Sequence, residues 1–346
     1  MVGRSPTRGG TTRIGAPVIP VSVDLRDSNG QPRFRNGVQL YSDATRYMNP
    51  VLNSPIFTPA RFPGFEGKLQ YDDAVQRAQF NSVMGEEWHT VLTPRVGQPL
   101  VMTISQDAAC GTLLPNGSLG HCNYYYAMNA NGSCCLYILV DDAVFTGLLF
   151  PPTYPVSSQT IIGAAELSGD MTTKDITSFV FPDTYLFEGN PNYCCILGYH
   201  SFDYEPGATD TALPRFYVMN FSSWVNSDIF GTAFADITPL SHELSEIFND
   251  PFVVFDGVTN ATPWWLAPNG LCQNNLEDGD AVEGLSNSTY PMLVRGRVYH
   301  PQNEALLSWF SSQSPSRALR GAYSYPDMTV LTAPSVPQNA GCSAPL

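Results

Sequence analysis

The stretch Ile237–Pro251 limits the fold more than any other part of this sequence, because its residues predict a short helix with defined ends. Thr238 suits an N-cap and Pro239 suits the first helical position, so the helix is expected to begin here. Asn249-Asp250-Pro251 ends it, since the residue before a proline avoids the α region. Between these ends, apolar residues recur at helical spacing and predict one buried face: Leu240, Leu244, Ile247 and Phe248.

The same helix carries side chains typical of a zinc site. His242 and Glu246 stand at positions i and i+4, so both project from one face about one turn apart. Glu243 follows His242, as the catalytic glutamate does in the zinc motif His-Glu-x-x-His, where a second histidine takes the place of Glu246. An imidazole and a carboxylate at this spacing can bind one Zn²⁺ while Glu243 accepts a proton from water. The alternative interpretation is a helix that carries these residues on a solvated face.

A dense run of acids and amides, Asn274–Glu283, follows the helix after Trp264-Trp265. Together these segments resemble a family of secreted bacterial and fungal metalloproteases, whose pattern is Ser-His-Glu-x-x-Glu-x-x-x-Asp-Pro, then Trp, then Glu-x-Gly-Asp. They are more distantly similar to the plant phosphate-induced (EXORDIUM-like) cell-wall proteins. The resemblance covers most of the chain from about residue 50 onward and includes further segments: Gln70–Phe80 with Trp88-His89, Gly198–His200, and Tyr299–Phe310.

The resemblance implies a role for each polar residue of the site. His242 and Glu246 would bind the metal, and Glu243 would act as the general base. Glu277 would be the third ligand, because gluzincin-type peptidases take a glutamate downstream of the helix for this position. Asp280 would hydrogen-bond His242 and fix its tautomer. Glu277 and Asp280 could also exchange these two roles.

The acidic run has a second interpretation. Its oxygen-bearing side chains around Gly279 suit an additional Ca²⁺, which prefers oxygen ligands. The run does not match the spaced pattern of an EF-hand loop. Without calcium, Asp278 and Glu283 are expected to be solvated loop acids.

The histidines add one further candidate catalytic residue. His200 closes a predicted strand shortly before the metal-binding helix. It is either a histidine hydrogen-bonded at a sheet edge or a catalytic residue that contacts the substrate or its oxyanion. His89 is expected to be packed and not to bind metal, and His300 is a weaker candidate for the site.

The charge of the chain argues against a nucleic-acid partner. The formal net charge is −14, and Lys68 and Lys174 are the only lysines. Binding to a phosphate backbone requires a basic surface, which this composition does not supply. No run approaches the roughly 18 apolar residues of a membrane-spanning helix. No membrane span is therefore expected. The partner that the resemblance to metalloproteases implies is a protein or peptide substrate.

Cysteines and glycosylation sequons indicate a secreted, extracellular glycoprotein. None of the eight cysteines lies in a Cys-x-x-Cys pair, so disulfides are favoured over zinc ligation. Each cysteine of the adjacent pairs Cys134-Cys135 and Cys194-Cys195 is expected to reach a different strand or loop, and Cys272 is expected to bond Cys342. Met1–Arg8 lacks the apolar region of a signal peptide, so we expect that a leader has been removed or replaced. Five Asn-x-Ser/Thr sequons begin at Asn116, Asn131, Asn220, Asn260 and Asn287.

The predicted fold class is α+β: a β-rich, loop-rich and disulfide-bonded sheet structure with a few helices, one of which is the metal-binding helix. We expect residues 1–15 to be disordered and residues 16–346 to form a single metalloprotease-like domain, with 311–346 as an extended C-terminal cover. Helices are also predicted at Asp72–Phe80 and Tyr299–Phe310. Strands are predicted at Val18–Leu25, Val91–Thr93, Leu100–Ile104, Cys134–Asp141, Val144–Phe150, Thr160–Leu167, Ser178–Phe181, Cys194–His200 and Arg215–Asn220.

Two functions follow from these predictions. The first is a secreted zinc peptidase that hydrolyses peptide bonds with Glu243 as general base. The second is a non-catalytic extracellular or cell-wall-associated protein that keeps the metal site as a structural clamp. Structural zinc sites are closed and catalytic ones keep an open position, so access to the metal distinguishes the two.

Overall fold

The structure is a computed structural model of the chain. It describes residues 2–85, 87–115, 117–128, 135–152, 156–207, 212–226, 229–231, 234–253, 265–273 and 275–335. These residues form a mixed α and β structure, as predicted.

The longest strand, β1, runs through the middle of the principal sheet, and short two-stranded hairpins lie outside that sheet. The strands of the described residues, in chain order, are β1 Thr11–Arg26, β2 Phe34–Arg35, β3 Val38–Gln39, β4 Tyr41–Ser42, β5 Ala60–Arg61, β6 Lys68–Leu69, β7 His89–Val96, β8 Leu100–Ser105, β9 Tyr124–Met128, β10 Leu136–Asp141, β11 Ile176–Pro182, β12 Thr184–Phe187, β13 Cys194–Ile196, β14 Gly198–Glu205, β15 Arg215–Trp224, β16 Trp265–Leu266, β17 Cys272–Gln273, β18 Met292–Val294, β19 Arg297–Tyr299, β20 Glu304–Ala305 and β21 Ser324–Tyr325.

The helices of the described residues are short, and α5 is the longest of them. Single turns of 3₁₀ helix also occur at Pro6–Arg8, Thr45–Tyr47 and Leu319–Gly321. The α-helices are α1 Met48–Leu52, α2 Tyr71–Gln79, α3 Asp142–Leu149, α4 Ile161–Ser168, α5 Thr238–Asn249 and α6 Leu307–Phe310.

The principal sheet is parallel at its centre and antiparallel at both ends of its strand order, β14-β15-β11-β1-β4. β1 pairs in parallel with three strands. Its residues Thr11–Val18 pair with β7, Val18–Pro20 with β11, and Val21–Arg26 with β8. β11 pairs in parallel with β15, whereas β14 runs antiparallel to β15. A second sheet has the order β13-β12-β10-β9. Strand β14, which carries His200, therefore lies at one end of the principal sheet.

Both faces of the principal sheet are covered, because alternate side chains of its strands enter two different hydrophobic clusters. On β1, Ile14 and Val18 belong to the cluster that includes α2 and α5. Ile19 and Val21 belong to the cluster that includes α3, α4 and the second sheet. Helix α5 packs against β14 and β15, which fixes the polar side of the helix beside the end strand of the sheet.

Helix α5 has the predicted bounds, but its first turn differs in detail. The N-cap residue is Ile237, which makes no side-chain cap, and Thr238 is already helical. The Thr238 hydroxyl donates instead to the backbone oxygens of Ala235 and His300, at 2.8 and 2.6 Å. The hydroxyl therefore links the start of the helix to two neighbouring loops.

Two of the predicted strands are helices. Residues 144–150 lie mostly in α3, whose N-terminus is capped by Asp141 through its Oδ1, 3.2 Å from the Val144 nitrogen. Residues 160–167 lie mostly in α4, which is capped by the Thr160 hydroxyl and ends at Gly169 in the left-handed conformation. The cap residues outweigh the β propensity of the apolar runs, since each cap satisfies a free N–H of the first turn.

Three further expectations are corrected. Residues 2–15 are not disordered in the structure, because Thr11 already begins β1 and the Val2 amide donates to the Phe248 oxygen at 2.9 Å. The predicted helix Tyr299–Phe310 is reduced to α6, since its first half contains the end of β19 and the strand β20. The predicted strand Cys194–His200 is divided between β13 and β14, which belong to different sheets.

The cysteines of the described residues contain no free thiol. Cys110 bonds Cys122, as expected for a disulfide-bonded chain. Cys194 and Cys195 are adjacent in β13, and the expectation that each of them reaches a different strand or loop stays a prediction. Cys135 and Cys272 are also disulfide-bonded. The predicted partner Cys342 lies outside the described residues.

The sequons do not all lie on the surface. Asn220 is fully buried in β15, and its amide donates to the Ser178 hydroxyl at 3.0 Å, so it is unavailable for glycosylation in the folded protein. Asn287 is exposed. Asn116, Asn131 and Asn260 lie outside the described residues. Among the described residues, no helix is long and apolar enough to span a membrane.

The C-terminal cover is described as far as residue 335. Leu331 packs in a third hydrophobic cluster that also contains Trp265 and Trp309. The amide of Ser335 donates to the Trp309 oxygen at 3.1 Å. Residues 336–346 lie outside the described residues.

Candidate metal centre

Helix α5 brings three polar side chains into the interior of the protein. His242 is 9 % exposed, Glu243 4 % and Glu246 1 %, so the interpretation of a solvated polar face is wrong. Nε2 of His242 lies 3.1 Å from Oε1 of Glu246, as the i, i+4 spacing predicts. Oε1 of Glu243 lies 4.0 Å from the same nitrogen.

The orientation of the His242 ring is fixed by Gln302, which precedes β20. Nδ1 of His242 lies 3.2 Å from Oε1 of Gln302. The amide group of Gln302 is itself oriented, because its Nε2 donates to the Gly279 oxygen at 2.7 Å. Nδ1 therefore donates to Gln302, and Nε2 is the nitrogen that faces Glu246.

The acidic loop places Asp280, and not Glu277, beside His242. Oδ1 of Asp280 lies 3.5 Å from Nε2 of His242, and the other carboxylate oxygen accepts from Gln273. Asp280 thus faces Nε2 of His242, whereas the Nδ1 contact that was predicted for an acid of this loop is made by Gln302. Glu277 faces a different histidine, with its Oε2 3.8 Å from Nδ1 of His200.

His200 lies beside the carboxylates of α5 and not at an exposed sheet edge. Its Nε2 lies 3.0 Å from the backbone oxygen of Asp250. Its Nδ1 lies 3.3 Å from Oε2 of Glu246 and 3.4 Å from Oε2 of Glu243. Since a carbonyl oxygen only accepts, Nε2 is a donor, and Nδ1 is the nitrogen that faces the carboxylates.

Two groups of potential metal ligands result, and both include Glu246. In the described part of the chain, the groups of three or more ligand atoms within 4.8 Å of one another are His200, Glu243 and Glu246, and His242, Glu246 and Asp280. Each contains an imidazole nitrogen and carboxylate oxygens, which suits zinc and other divalent transition metals. Neither is the oxygen-only cage that Ca²⁺ prefers.

Two glycines allow the backbone to approach these side chains. A Cβ atom on Gly279 would lie 2.4 Å from Nδ1 of His242. A Cβ atom on Gly198 would lie 2.7 Å from Oε1 of Glu243. The Gly279 amide also donates to Oε1 of Glu246 at 3.1 Å. The close contact of loop, strand and helix at this point therefore requires residues without side chains.

The charges of the cluster shift its pKa values in opposite directions. Burial alone would lower the pKa of His200 and of His242, but the surrounding carboxylates raise both well above the usual value. Burial raises the pKa of Glu243, and the two imidazoles offset this only in part. Against the effect of burial, the same imidazoles lower the pKa of Glu246. Burial and the neighbouring charge of Glu246 raise the pKa of Asp280 to about 7.

Two further acids, Glu277 and Asp278, lie close to the cluster. Burial and the neighbouring charge of Glu246 raise the pKa of Glu277 well above its usual value. Asp278 is fully buried, so the expectation that it is a solvated loop acid is wrong. Its Oδ2 accepts from the Ser245 hydroxyl and from the Asn249 amide, both at 2.8 Å. Asp278 thus holds the acidic loop against α5. Glu283 is partly exposed and lines the cavity described next.

Two cavities reach the cluster. One, of about 190 Å³, is lined by His242, Glu243 and Asp280 together with apolar side chains that include Ile196, Leu197 and Phe234. The other, of about 310 Å³, has His200, Glu246 and Glu277 among its lining residues. The site is therefore buried but accessible to a small molecule or to a side chain of a substrate.

The other histidines that were considered lie elsewhere. Nδ1 of His89 lies 2.8 Å from Oδ2 of Asp73, in agreement with its prediction as a packed residue. Nδ1 of His300 lies 2.8 Å from Oδ2 of Asp236, and His300 does not belong to either ligand group. Gln302 was missed from the sequence, because an isolated glutamine within a predicted helix carries no motif.

The comparisons with known proteins find no counterpart: no protein-family model, no curated protein and no solved structure matches this chain. The inference of function therefore depends on the chemistry of the site.

Proposed function

We propose that this protein is a zinc-dependent hydrolase that cleaves peptide bonds, with Zn²⁺ bound by His242, Glu246 and Asp280. The observation that carries the proposal is the orientation of His242. Gln302 accepts from Nδ1, so Nε2 is the nitrogen that faces two carboxylates beside a cavity and is available to a metal ion. This is the arrangement that a catalytic zinc ligand requires.

The distances between the proposed ligand atoms agree with those expected around one Zn²⁺ ion. Ligands bonded to a tetrahedral Zn²⁺ at about 2.0 Å lie about 3.3 Å from one another. The separations from Nε2 of His242 are 3.1 Å to Glu246 and 3.5 Å to Asp280. Three protein ligands leave the fourth tetrahedral position for water or substrate, as in catalytic zinc sites.

The chain supplies the proton acceptor as Glu243. A divalent ion held by these residues would polarise a substrate carbonyl and lower the pKa of water. Glu243 lines both cavities, and its Oε1 lies within 4.0 Å of the metal-binding nitrogen of His242. Burial raises the pKa of Glu243, which makes this carboxylate a stronger proton acceptor. Glu243 would accept the proton of the attacking water and return it to the leaving amine.

The choice of peptide bonds follows from the resemblance of the α5 motif to metalloproteases. A secreted location is proposed with it, and the Cys110–Cys122 disulfide supports an oxidising compartment. The apolar side chains around the cavity, Ile196, Leu197 and Phe234, suit an apolar side chain of a substrate peptide.

The experiment compares zinc-loaded wild type with Glu243→Gln in the hydrolysis of a broad peptide library. Loss of a positioned general base costs on the order of 10²–10⁴ in rate, and the zinc bound at His242 should be retained. Glu283→Gln is the matched control, because Glu283 lines the same cavity but belongs to neither ligand group. Hydrolysis that survives in Glu243→Gln, or depends equally on Glu283, would contradict the role of Glu243.

A second candidate function is a metal clamp in a non-catalytic extracellular or cell-wall-associated protein. The burial of both imidazoles favours it, since His200 and His242 are only 7 % and 9 % exposed. In this case zinc removal lowers the melting temperature, but the zinc-loaded wild type cleaves no member of the library. The absence of cleavage would therefore replace the hydrolase with the clamp, provided that zinc is bound.

A further inference from the structure

The carboxylate of Glu246 lies between two imidazoles. Its Oε1 is 3.1 Å from Nε2 of His242, and its Oε2 is 3.3 Å from Nδ1 of His200. These are the nitrogens left to face the carboxylate, because the other nitrogen of each ring is hydrogen-bonded to Gln302 or to the Asp250 backbone oxygen. A lone pair that faces a carboxylate oxygen is repulsive unless a cation or a proton lies between them.

The distances from Nδ1 of His200 to the nearest carboxylate oxygens match the distances between ligands of one metal ion. Nδ1 of His200 lies 3.3 Å from Glu246, 3.4 Å from Glu243 and 3.8 Å from Glu277. The first two agree with the separation of about 3.3 Å between ligands of one tetrahedral ion with bonds of about 2.0 Å. The group at His200 is therefore as suitable for an ion as the group at His242.

The cluster concentrates carboxylates around the two imidazoles. Glu243, Glu246, Glu277 and Asp280 each have an oxygen within 4.0 Å of a ring nitrogen of His200 or His242. The arginine ion pairs that are found among the described residues involve other acids. Divalent cations would offset the cost of ionising such closely spaced, buried carboxylates.

We propose that this protein binds a pair of divalent transition-metal ions bridged by Glu246. One ion is held by His242, Asp280 and Oε1 of Glu246, and the other by His200, Glu243 and Oε2 of Glu246. Glu277 lies beside the second ion. Four carboxylates with two histidines is also the ligand inventory of di-iron and di-manganese carboxylate proteins.

This inference rests on the proposed function for the first ion and adds the second. In two-metal hydrolytic sites, which include aminopeptidases, the ions lie about 3.5–4 Å apart. Glu243 binds through Oε2 in this arrangement. Its Oε1, the atom nearer His242, remains the proton acceptor.

The test is the metal stoichiometry of the purified, demetallated full chain titrated with Zn²⁺ and, separately, with Mn²⁺. Wild type should bind two ions per chain, and its Mn²⁺ form should give the electron paramagnetic resonance signal of an exchange-coupled pair. His200→Gln should bind one ion and lose the coupled signal. His121→Ala is the matched control and should bind two, because His121 also lies near a carboxylate, 3.5 Å from Asp141, but on the surface.

The outcomes separate this inference from the proposed function. Saturation of wild type at one ion, with peptide hydrolysis intact, would overturn the pair and leave the zinc hydrolase in place. Binding of no ion would overturn both. If His200→Gln does not fold, the stoichiometry and the spin coupling of wild type alone decide the question.

Discussion

Gln302 determines which nitrogen of His242 can bind a metal. The two side chains meet at 3.2 Å, between Oε1 of Gln302 and Nδ1 of His242. Gln302 is held in turn at its backbone, where its amide donates to the Ser241 hydroxyl at 2.9 Å. A residue sixty positions downstream in the chain thus orients the histidine of the α5 motif.

Replacement of Gln302 by leucine should weaken zinc binding without removing a ligand. The substitution releases the His242 ring and leaves its Nδ1–H unpaired in the interior. Loss of such an outer hydrogen bond typically lowers metal affinity 10–100-fold. Competition with a zinc chelator measures the effect. Gln39→Leu, which removes a hydrogen bond to Asp24 far from the site, should leave the affinity unchanged. Equal affinities of the two variants would contradict the role of Gln302.

Gly279→Ala should disturb the metal site through the volume of the added methyl group alone. The new Cβ would lie 2.4 Å from Nδ1 of His242, so either the ring or the acidic loop must move. Overpacking of this kind costs about 1–3 kcal/mol, and we expect lower zinc affinity together with a lower melting temperature.

The control for this substitution lies in α3. A Cβ on Gly147 meets nothing within 4 Å. Gly147→Ala should therefore raise the stability by about 0.5–1 kcal/mol, through the helix preference for alanine. If Gly279→Ala were as well tolerated as Gly147→Ala in chelator competition and thermal unfolding, the close contact with His242 would be of no consequence.

Glu166 should make the protein less stable as the pH rises. Burial, together with the neighbouring charge of Asp203, raises the pKa of Glu166 to about 8. The folded state therefore holds this proton more tightly than the unfolded chain. Its contribution to stability is complete below the unfolded pKa, near 4.5, and is lost as the pH rises to about 8.

Glu166→Gln removes this dependence, because glutamine cannot ionise. The variant should melt at a higher temperature than wild type at pH 9 and at a similar temperature at pH 4. Glu188→Gln serves as the control, since Glu188 is exposed. If wild type had the higher melting temperature at pH 9, ionisation of Glu166 would not destabilise the folded protein, and the prediction would be wrong.

The cysteines should be oxidised in the purified protein. Thiol titration of unfolded, unreduced protein should find few or no free thiols, as the described cysteines indicate. The Cys110–Cys122 bond closes a loop of 12 residues. Its removal by Cys110→Ser with Cys122→Ser should cost about 3 kcal/mol by the chain-entropy relation. Many free thiols would argue instead for a reducing compartment and would remove this support for secretion.

The sequence predicted those features that depend on neighbouring residues. The bounds of α5 follow from Pro239 and from Asp250-Pro251, and the 3.1 Å contact of His242 with Glu246 follows from their spacing on one helix. Local signals were also present for α3 and α4, in the caps Asp141 and Thr160. The strand predictions were instead based on the apolar runs that follow these caps, and such runs alone do not distinguish a strand from a helix.

The features that depend on distant residues were not predictable. Nothing near His200 indicates that β14 pairs with β15 and brings this histidine to the carboxylates of α5. Asp278 was expected to be solvated because its neighbours are polar. Its burial results from Ser245 and Asn249, which supply hydrogen bonds from a helix distant in the sequence. Tertiary contacts of this kind decide which acids of a polar loop enter the interior.

The central position of β1 has a consequence for the synthesis of this chain. β1 precedes all of its sheet partners, and β11 ends only at Pro182. A ribosome must therefore make more than half of the chain before the strand can complete its hydrogen bonds. Sheets assembled from such non-local pairs fold slowly, and an unpaired apolar strand is prone to aggregation in the meantime. We therefore expect the nascent chain to depend on chaperones that shield Ile14–Leu25 until β11 has emerged.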